Sequence, residues 1–179
     1  FAPVAGDDRA TVDEDGPARL APLANDGDRN PGDPLRIVAL GTAGTIGTVR
    51  LGQDGTVQWD PAGRLDHLGA GETAVDRFTY TVQDGQGGRD TATVEITVRG
   101  VNDAPVAADD RATTAEDCAL TLRAADLLGN DTDVDGGRLA IAGVGGASHG
   151  RVTLNADGTV TFTPDADFHG EGSFTYTVR

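Results

Sequence analysis

The sequence has no lysine and no methionine, one cysteine, two serines, and aromatic residues at only 4% of its 179 positions. Each scarcity excludes something. Without lysine there is no Schiff-base nucleophile and no Lys–Asn isopeptide staple. A lone Cys118 forms no internal disulfide and cannot build a Cys-rich zinc site. Ser148 and Ser173 are the only serines, and neither sits in Gly-x-Ser-x-Gly, so nucleophilic hydrolysis has no support. His67, His149 and His169 are scattered, with no pair at metal-ligand spacing. No apolar run approaches the length of a membrane span, so no membrane insertion is expected, and no secretory leader is recognisable. Positive charge is scarce too. Fourteen arginines face 29 acids, and the net charge of -15 argues against nucleic acid and against anionic lipid as partners.

What is abundant is aspartate and glycine. Of the 29 acids, 24 are Asp and 5 are Glu, and there are 26 glycines. Both Asp and Gly disfavour helix. Composition alone fits a turn-rich β protein or a disordered acidic chain, and the pattern decides between them.

The chain repeats itself. Ala2-Pro3-Val4-Ala5 returns as Ala104-Pro105-Val106-Ala107, Asp7-Asp8-Arg9-Ala10-Thr11 as Asp109-Asp110-Arg111-Ala112-Thr113, and Glu14-Asp15 as Glu116-Asp117. Asp54-Gly55-Thr56-Val57 returns as Asp157-Gly158-Thr159-Val160, and Phe78-Thr79-Tyr80-Thr81-Val82 as Phe174-Thr175-Tyr176-Thr177-Val178. The first copy carries a longer insert, roughly Ala62 to Asp76. A repeat of about 100 residues is large enough to bury its own core, so the reading is two domains in tandem, 1–100 and 101–179. The chain starts in mid-motif and ends on strand-like residues, so it reads as a piece of something longer, with the second copy stopping before its last strand.

Strand signals are clear within each copy. Val49-Arg50-Leu51 and Thr56-Val57-Gln58-Trp59 alternate around a turn at Gln53-Asp54-Gly55. Val152-Thr153-Leu154 and Thr159-Val160-Thr161-Phe162 do so around Ala156-Asp157-Gly158. Asp-Gly between alternating runs predicts a hairpin. Phe78, Tyr80 and Val82 share one face, and Thr93 to Val98 alternates as well. Short strands at regular spacing with Gly/Asp turns predict an all-β fold: two antiparallel sandwiches of Greek-key character joined by a short linker. The nearest approach to a helix is one short turn between Ala119 and Leu128.

The sharpest local motif is Asp131-Thr132-Asp133-Val134-Asp135-Gly136. Alternate Asp residues in a turn can aim their carboxylates at one point, and hard oxygen donors suit Ca2+. The start resembles an EF-hand loop, but the twelfth position is Ala142 and helical flanks are absent from the pattern, so it is not one. The alternative is an Asx-rich turn with solvated carboxylates. The first copy keeps Asn25-Asp26-Gly27-Asp28 at the matching place. Carboxylates about 4 Å apart repel by about 4 kcal/mol at a surface-like dielectric, so a chain that gathers them twice either holds them apart or uses a cation.

Asp84-Gly85-Gln86-Gly87-Gly88, then Thr91 to Val98, then Val101-Asn102-Asp103-Ala104-Pro105-Val106, resembles the end of a cadherin repeat. The whole unit is similar to the bacterial cadherin-like repeats of RTX-type adhesins and related large surface proteins. Leu65-Asp66-His67-Leu68 and Gly71-Glu72 bring the first copy closer to the VCBS variety, and Phe162 to Gly170 bring the second closer to the plain cadherin-like variety. The resemblance implies Ca2+ at domain junctions. The interdomain set it implies is Glu14, Asn102, Asp103, Asp131, Asp133 and Asp135. Outer sets would use Asp26, Asp28 and Asp84 with a preceding linker, and Glu116 with a following one. The chain departs from the pattern in having Asn30 where a third Asp would fall in the first copy, and Asp103 where cadherin linkers carry Asn.

The function this implies is a calcium-rigidified extender or adhesion module of a long secreted protein at a bacterial cell surface, as in biofilm adhesins. Its partners would be neighbouring repeats of the same chain, and extracellular polysaccharide or another adhesin. The alternative is a calcium-dependent polysaccharide-binding or homophilic adhesion domain, for which an exposed aromatic on a sheet face is needed. Trp59 and Tyr80 are the candidates. No catalytic residues are expected, since pairs such as Asp165 and Asp167 carry little information among so many turn aspartates.

Overall fold

A computed structural model describes residues 1–30 and 32–179. It divides into two compact units, Phe1–Asn102 and Asp103–Arg179, a division two residues beyond the one drawn from the repeat. Among the described residues no helix is long and apolar enough to cross a membrane.

Unit 1 has seven strands: β1 (Asp8–Asp13), β2 (Ala18–Leu20), β3 (Arg36–Gly41), β4 (Thr48–Leu51), β5 (Val57–Asp60), β6 (Thr73–Gln83) and β7 (Arg89–Arg99). They form two sheets, β1-β7-β6-β3 and β2-β5-β4. Pairings are antiparallel except β1 on β7, which is parallel with Asp8 opposite Val94 and Val12 opposite Val98. Sequence-adjacent strands repeatedly switch sheets, which gives the sandwich its Greek-key course.

The alternation seen in the sequence sets what each face buries. On β6, Phe78, Tyr80 and Val82 point inward at 2%, 0% and 0% exposure. On β7, Ala92, Val94, Ile96 and Val98 meet them, while Arg77 and Glu95 pair across the outer face at 2.7 Å. Trp59 and Val57 come from the second sheet. Leu65 and Leu68, both buried, come from the insert particular to this copy and join the core. Both Asp-Gly hairpins form as expected, β4 to β5 here and Gly150–Leu154 to Val160–Pro164 in unit 2. Gly55 at φ +79 and Gly158 at φ +84 occupy the left-handed position that a side chain would strain.

Unit 2 has five strands: β8 (Leu120–Leu122), β9 (Ile141–Ser148), β10 (Gly150–Leu154), β11 (Val160–Pro164) and β12 (Ser173–Val178). They pair as β10-β11-β8 and β12-β9. A one-turn helix, α1 (Ala124–Leu127), occupies the place where a short helical turn is expected. Its Leu127 is buried, as are Val160 and Phe162. By the repeat, β8 to β12 correspond to β2 to β6. No strand in unit 2 corresponds to β1 or β7 among the described residues.

Candidate functional site

The acidic residues fall into three kinds of setting. The first is a cluster in unit 1. Asp28 and Asp33 lie in the connection before β3, and Asp84 opens the turn after β6. These three carboxylates each place an oxygen within 4.8 Å of the others. Each also spends an oxygen on nearby backbone. Asp84 Oδ1 accepts from the amides of Gln86 at 2.9 Å and Gly88 at 2.7 Å. Asp33 Oδ1 accepts from Gly85 N–H at 3.1 Å, and Asp28 Oδ1 from Asn30 N–H at 2.6 Å. The glycines of the turn permit this. A Cβ on Gly85 would collide with Asp33 Oδ1, and one on Gly88 with Asp84 Oδ2. Asp84 is 2% exposed, and the second oxygens of Asp28 and Asp33 are buried without a hydrogen-bond donor. A buried acceptor left unmet costs about 1–3 kcal/mol, more when charged. Three convergent carboxylates, two of them with unmet oxygens, are a donor set that a hard cation satisfies.

The second setting is the end of each unit nearest residues 101–103. In unit 1, Glu14 follows β1 and is 1% exposed. Its Oε1 accepts from Val101 N–H at 2.8 Å, and its Oε2 is buried with no donor. In unit 2, Asp135 Oδ2 accepts from Asp103 N–H at 2.9 Å, and Asp133 Oδ1 accepts from Asp135 N–H at 3.0 Å. Asp135 Oδ1 is buried with no donor. Each unit thus holds a carboxylate against its own end of the same short peptide, with an oxygen to spare.

The third setting is inward. Tyr80 O–H donates to Asp26 Oδ1 at 2.8 Å, and that same oxygen accepts from Gly6 N–H at 2.8 Å. In unit 2, Tyr176 O–H faces Asp110 Oδ2 at 2.8 Å and Asp131 Oδ1 at 3.2 Å, and Asp131 Oδ1 also accepts from Ala108 N–H at 2.8 Å. Burial and the neighbouring carboxylates raise both tyrosines well above the usual phenol range, so both stay protonated donors. Asp8, beside Tyr80 and Asp26, is raised from its ordinary value chiefly by burial, with the charges of Asp26 and Asp7 adding to it.

The structure therefore brings Asp28 and Asp84 together and adds Asp33 in place of Asp26, whose Oδ1 is engaged by Tyr80. It seats Asp131 on Tyr176, apart in role from the Asp133–Asp135 turn. Glu116 is exposed and pairs with His169 Nδ1 at 2.9 Å. One expectation is corrected. Trp59 and Tyr80 do not present a sugar-binding face, because both are at 0% exposure. Trp59 Nε1 donates instead to Asp76 Oδ2 at 2.7 Å, inside the sandwich.

Asp33 and Asp76 are the residues that sequence reasoning passed over. Asp33 has Arg138 at its repeat-matched place, and Asp76 has Gly172, so neither is flagged by repetition. Asp76 is a buried anchor rather than a spare donor. It accepts from Ile46, Gly47 and Arg77 amides as well as from Trp59.

Residues 1–100 match the family model of the bacterial cadherin-like domain, and residues 101–179 match that of the cadherin-like domain. No curated protein matches the chain significantly in sequence. Among solved structures, 99% of the chain aligns with 49% of the extracellular cadherin domains 1–4 of protocadherin gamma B7, at 13% identity and TM-score 0.38. It aligns over 99% of its length with 26% of an endo-fucoidan hydrolase of glycoside hydrolase family 107, at 18% identity and TM-score 0.36. A mixed-linkage glucan utilisation protein from Bacteroides ovatus, solved with a heptasaccharide, aligns over 43% of its length and 99% of this chain, at 13% identity and TM-score 0.35. The chain thus spans from about a quarter to about half of these structures.

Proposed function

The chain belongs to the bacterial cadherin-like domain family, and from that premise we propose that it is a calcium-stiffened extender segment of a secreted bacterial surface protein. A tandem of such domains supplies an adhesion or extender module. Calcium is the finer part of the proposal. The observation that carries it is that four of the six buried carboxylate oxygens without donors among the described residues, Asp28 Oδ2, Asp33 Oδ2, Glu14 Oε2 and Asp135 Oδ1, lie at these places, the other two being Asp8 Oδ2 and Asp26 Oδ2.

Asp28, Asp33 and Asp84 would hold one ion within unit 1. The family resemblance implies another ion at the junction, for which Glu14, Asn102, Asp103, Asp133 and Asp135 would be the donors. When bound, the ion supplies positive charge and nothing else. The protein's own residues do the rest. Val101 N–H holds Glu14, Asp103 N–H holds Asp135, and Pro105 fixes the backbone just beyond. With the cation, like charges no longer repel, and the peptide at 101–103 loses freedom. Extracellular modules bind Ca2+ at about 10⁻⁴ to 10⁻³ M. At millimolar ion each site adds about 1 kcal/mol to the folded state.

Isothermal titration of the 179-residue protein with CaCl2 tests this. Saturable binding in that range is expected. Asp28→Asn with Asp33→Asn should abolish one class of site, and Glu14→Gln with Asp135→Asn another. No heat, or heat untouched by either pair, overturns the reading. The burial of Trp59 and Tyr80 removes the support for a polysaccharide-binding alternative on those residues.

A further inference from the structure

The outer face of the β2-β5-β4 sheet carries a row of side chains that the fold does not use. Val57 and Trp59 turn into the core, so Gln58 between them turns outward. In register, Arg19 of β2 and Arg50 of β4 lie opposite Gln58 from either side. All three are exposed. With Gln53, Asp54 and Thr56 they line an open hollow of about 580 Å³.

The two arginines are held differently. Arg19 is fixed: its Nη2 pairs with Asp54 Oδ2 and its Nε donates to Thr56 Oγ1 at 3.1 Å, which leaves Nη1 without a partner. Arg50 takes part in none of the ion pairs among the described residues. Neighbouring strands lie about 4.8 Å apart, so the two arginine Cα atoms are about 10 Å from each other, and two long side chains can reach one group placed over Gln58.

Unit 2 has the same strands without the charge. Its β8, β11 and β10 put Thr121, Thr161 and Thr153 in the matching register. Its hairpin also keeps the Asp–Thr bond, with Asp157 Oδ1 accepting from Thr159 as Asp54 Oδ1 does from Thr56. Neither the strands nor the turn therefore require arginine. In a protein of net charge -15, two guanidinium groups beside one carboxylate are a local reversal of sign. The screening length at physiological salt is about 8 Å, so acids elsewhere on the surface weaken it little. Charge on the edge strands β2 and β4 also deters stray strand pairing, but that role calls for neither the amide between them nor a hollow.

The donors and acceptors of the hollow select a ligand. Guanidinium groups donate to a carboxylate, and do so through paired parallel bonds. Gln53 and Gln58 both donate and accept, and Asp54 only accepts. A ligand with one carboxylate and several hydroxyl groups meets all three kinds, whereas an acidic peptide brings further carboxylates towards Asp54. We propose that this face of unit 1 binds an acidic saccharide of the uronic-acid class, its carboxylate on Arg19 and Arg50 and its hydroxyl groups on Gln53, Asp54 and Gln58. The site shares no residue with the carboxylate clusters described above, so it needs no calcium.

The test is run in chelator, which removes bridging through a metal ion. Fluorescein-labelled galacturonate, glucuronate and mannuronate oligomers are titrated into the 179-residue protein. Saturable anisotropy is expected with at least one of them, weaker at physiological than at low ionic strength, with amide shifts confined to residues 17–20 and 48–58. Arg50→Gln and Arg19→Gln should each lower the affinity about tenfold, and Arg50→Glu should abolish binding. Neither Arg50 variant should shift the melting of unit 1, since Arg50 makes no ion pair there. Saturable binding by none of the oligomers, or affinity untouched by Arg50→Glu, overturns the proposal. So does equal binding of a poly-glutamate peptide, which would make an acidic peptide the occupant, or of a neutral galactose oligomer of the same length.

Discussion

At the residue scale, the carboxylates of this protein are distinguished by which of their oxygens find a donor. Asp76 is satisfied on every side within the sandwich. Replacing it by Ala strands the Ile46 and Gly47 amides and the Trp59 indole N–H together. Unit 1 should lose about 3 kcal/mol or more, read as a fall in its denaturation midpoint. Trp59→Phe removes one of those donors and keeps most of the packing, so its cost should be nearer 1–2 kcal/mol.

Asp8 and Asp90 respond to acid in opposite senses. Asp90 is held below the ordinary carboxylate value by the Ala5 and Thr91 amides. Its contribution is present above the unfolded pKa, near 4, and is lost as pH falls through its folded value. Asp8 is raised, chiefly by burial. Ionising it costs stability above its folded pKa, and that cost disappears at pH values below 3.8. Asp8→Asn should therefore stabilise unit 1 at pH 7. The advantage should vanish near pH 3. Chemical denaturation of the variant and parent at both pH values checks the sign.

At the scale of elements, local pattern was enough wherever a strand's neighbours are close in sequence. The β4–β5 and β10–β11 hairpins follow from Asp-Gly turns, and the inward face of β6 follows from Phe78, Tyr80 and Val82 spaced by two. Gly55→Ala should cost about 1 kcal/mol or more through the φ of +79, measurable as a shift in unit 1 melting. Pattern failed where a strand depends on a distant partner. The identical Asp-Asp-Arg-Ala-Thr segments prove the point, since one forms β1 against β7 and the other forms no strand. The candidate site was legible to the same extent. Asp28, Asp84, Glu14 and Asp135 stand out by repetition or by motif. Asp33 does not, because it is delivered by a connection peculiar to the first copy. The inward turn of Asp26 and Asp131 was hidden because their partners, Tyr80 and Tyr176, lie 54 and 45 residues away.

At the scale of the whole molecule, a net charge of -15 with no lysine works against compactness unless counter-charge is supplied. On the proposed reading divalent cations would supply it at the places where carboxylates converge, and stability and stiffness would both become functions of calcium. Chelation should lower the melting point of unit 1 by a few degrees, on the order of 1 kcal/mol per site. Monovalent salt at matched ionic strength should not restore it, since screening does not fill a coordination site.

The most direct test combines calorimetry with small-angle X-ray scattering of the 179-residue protein, in about 2 mM CaCl2, within the millimolar extracellular range, and again in chelator. The account expects calcium to raise the melting temperature and to narrow the distribution of interdomain distances. Glu14→Gln with Asp135→Asn should abolish the narrowing but retain the unit 1 stabilisation given by Asp28, Asp33 and Asp84. Identical melts and identical scattering curves with and without calcium would contradict it.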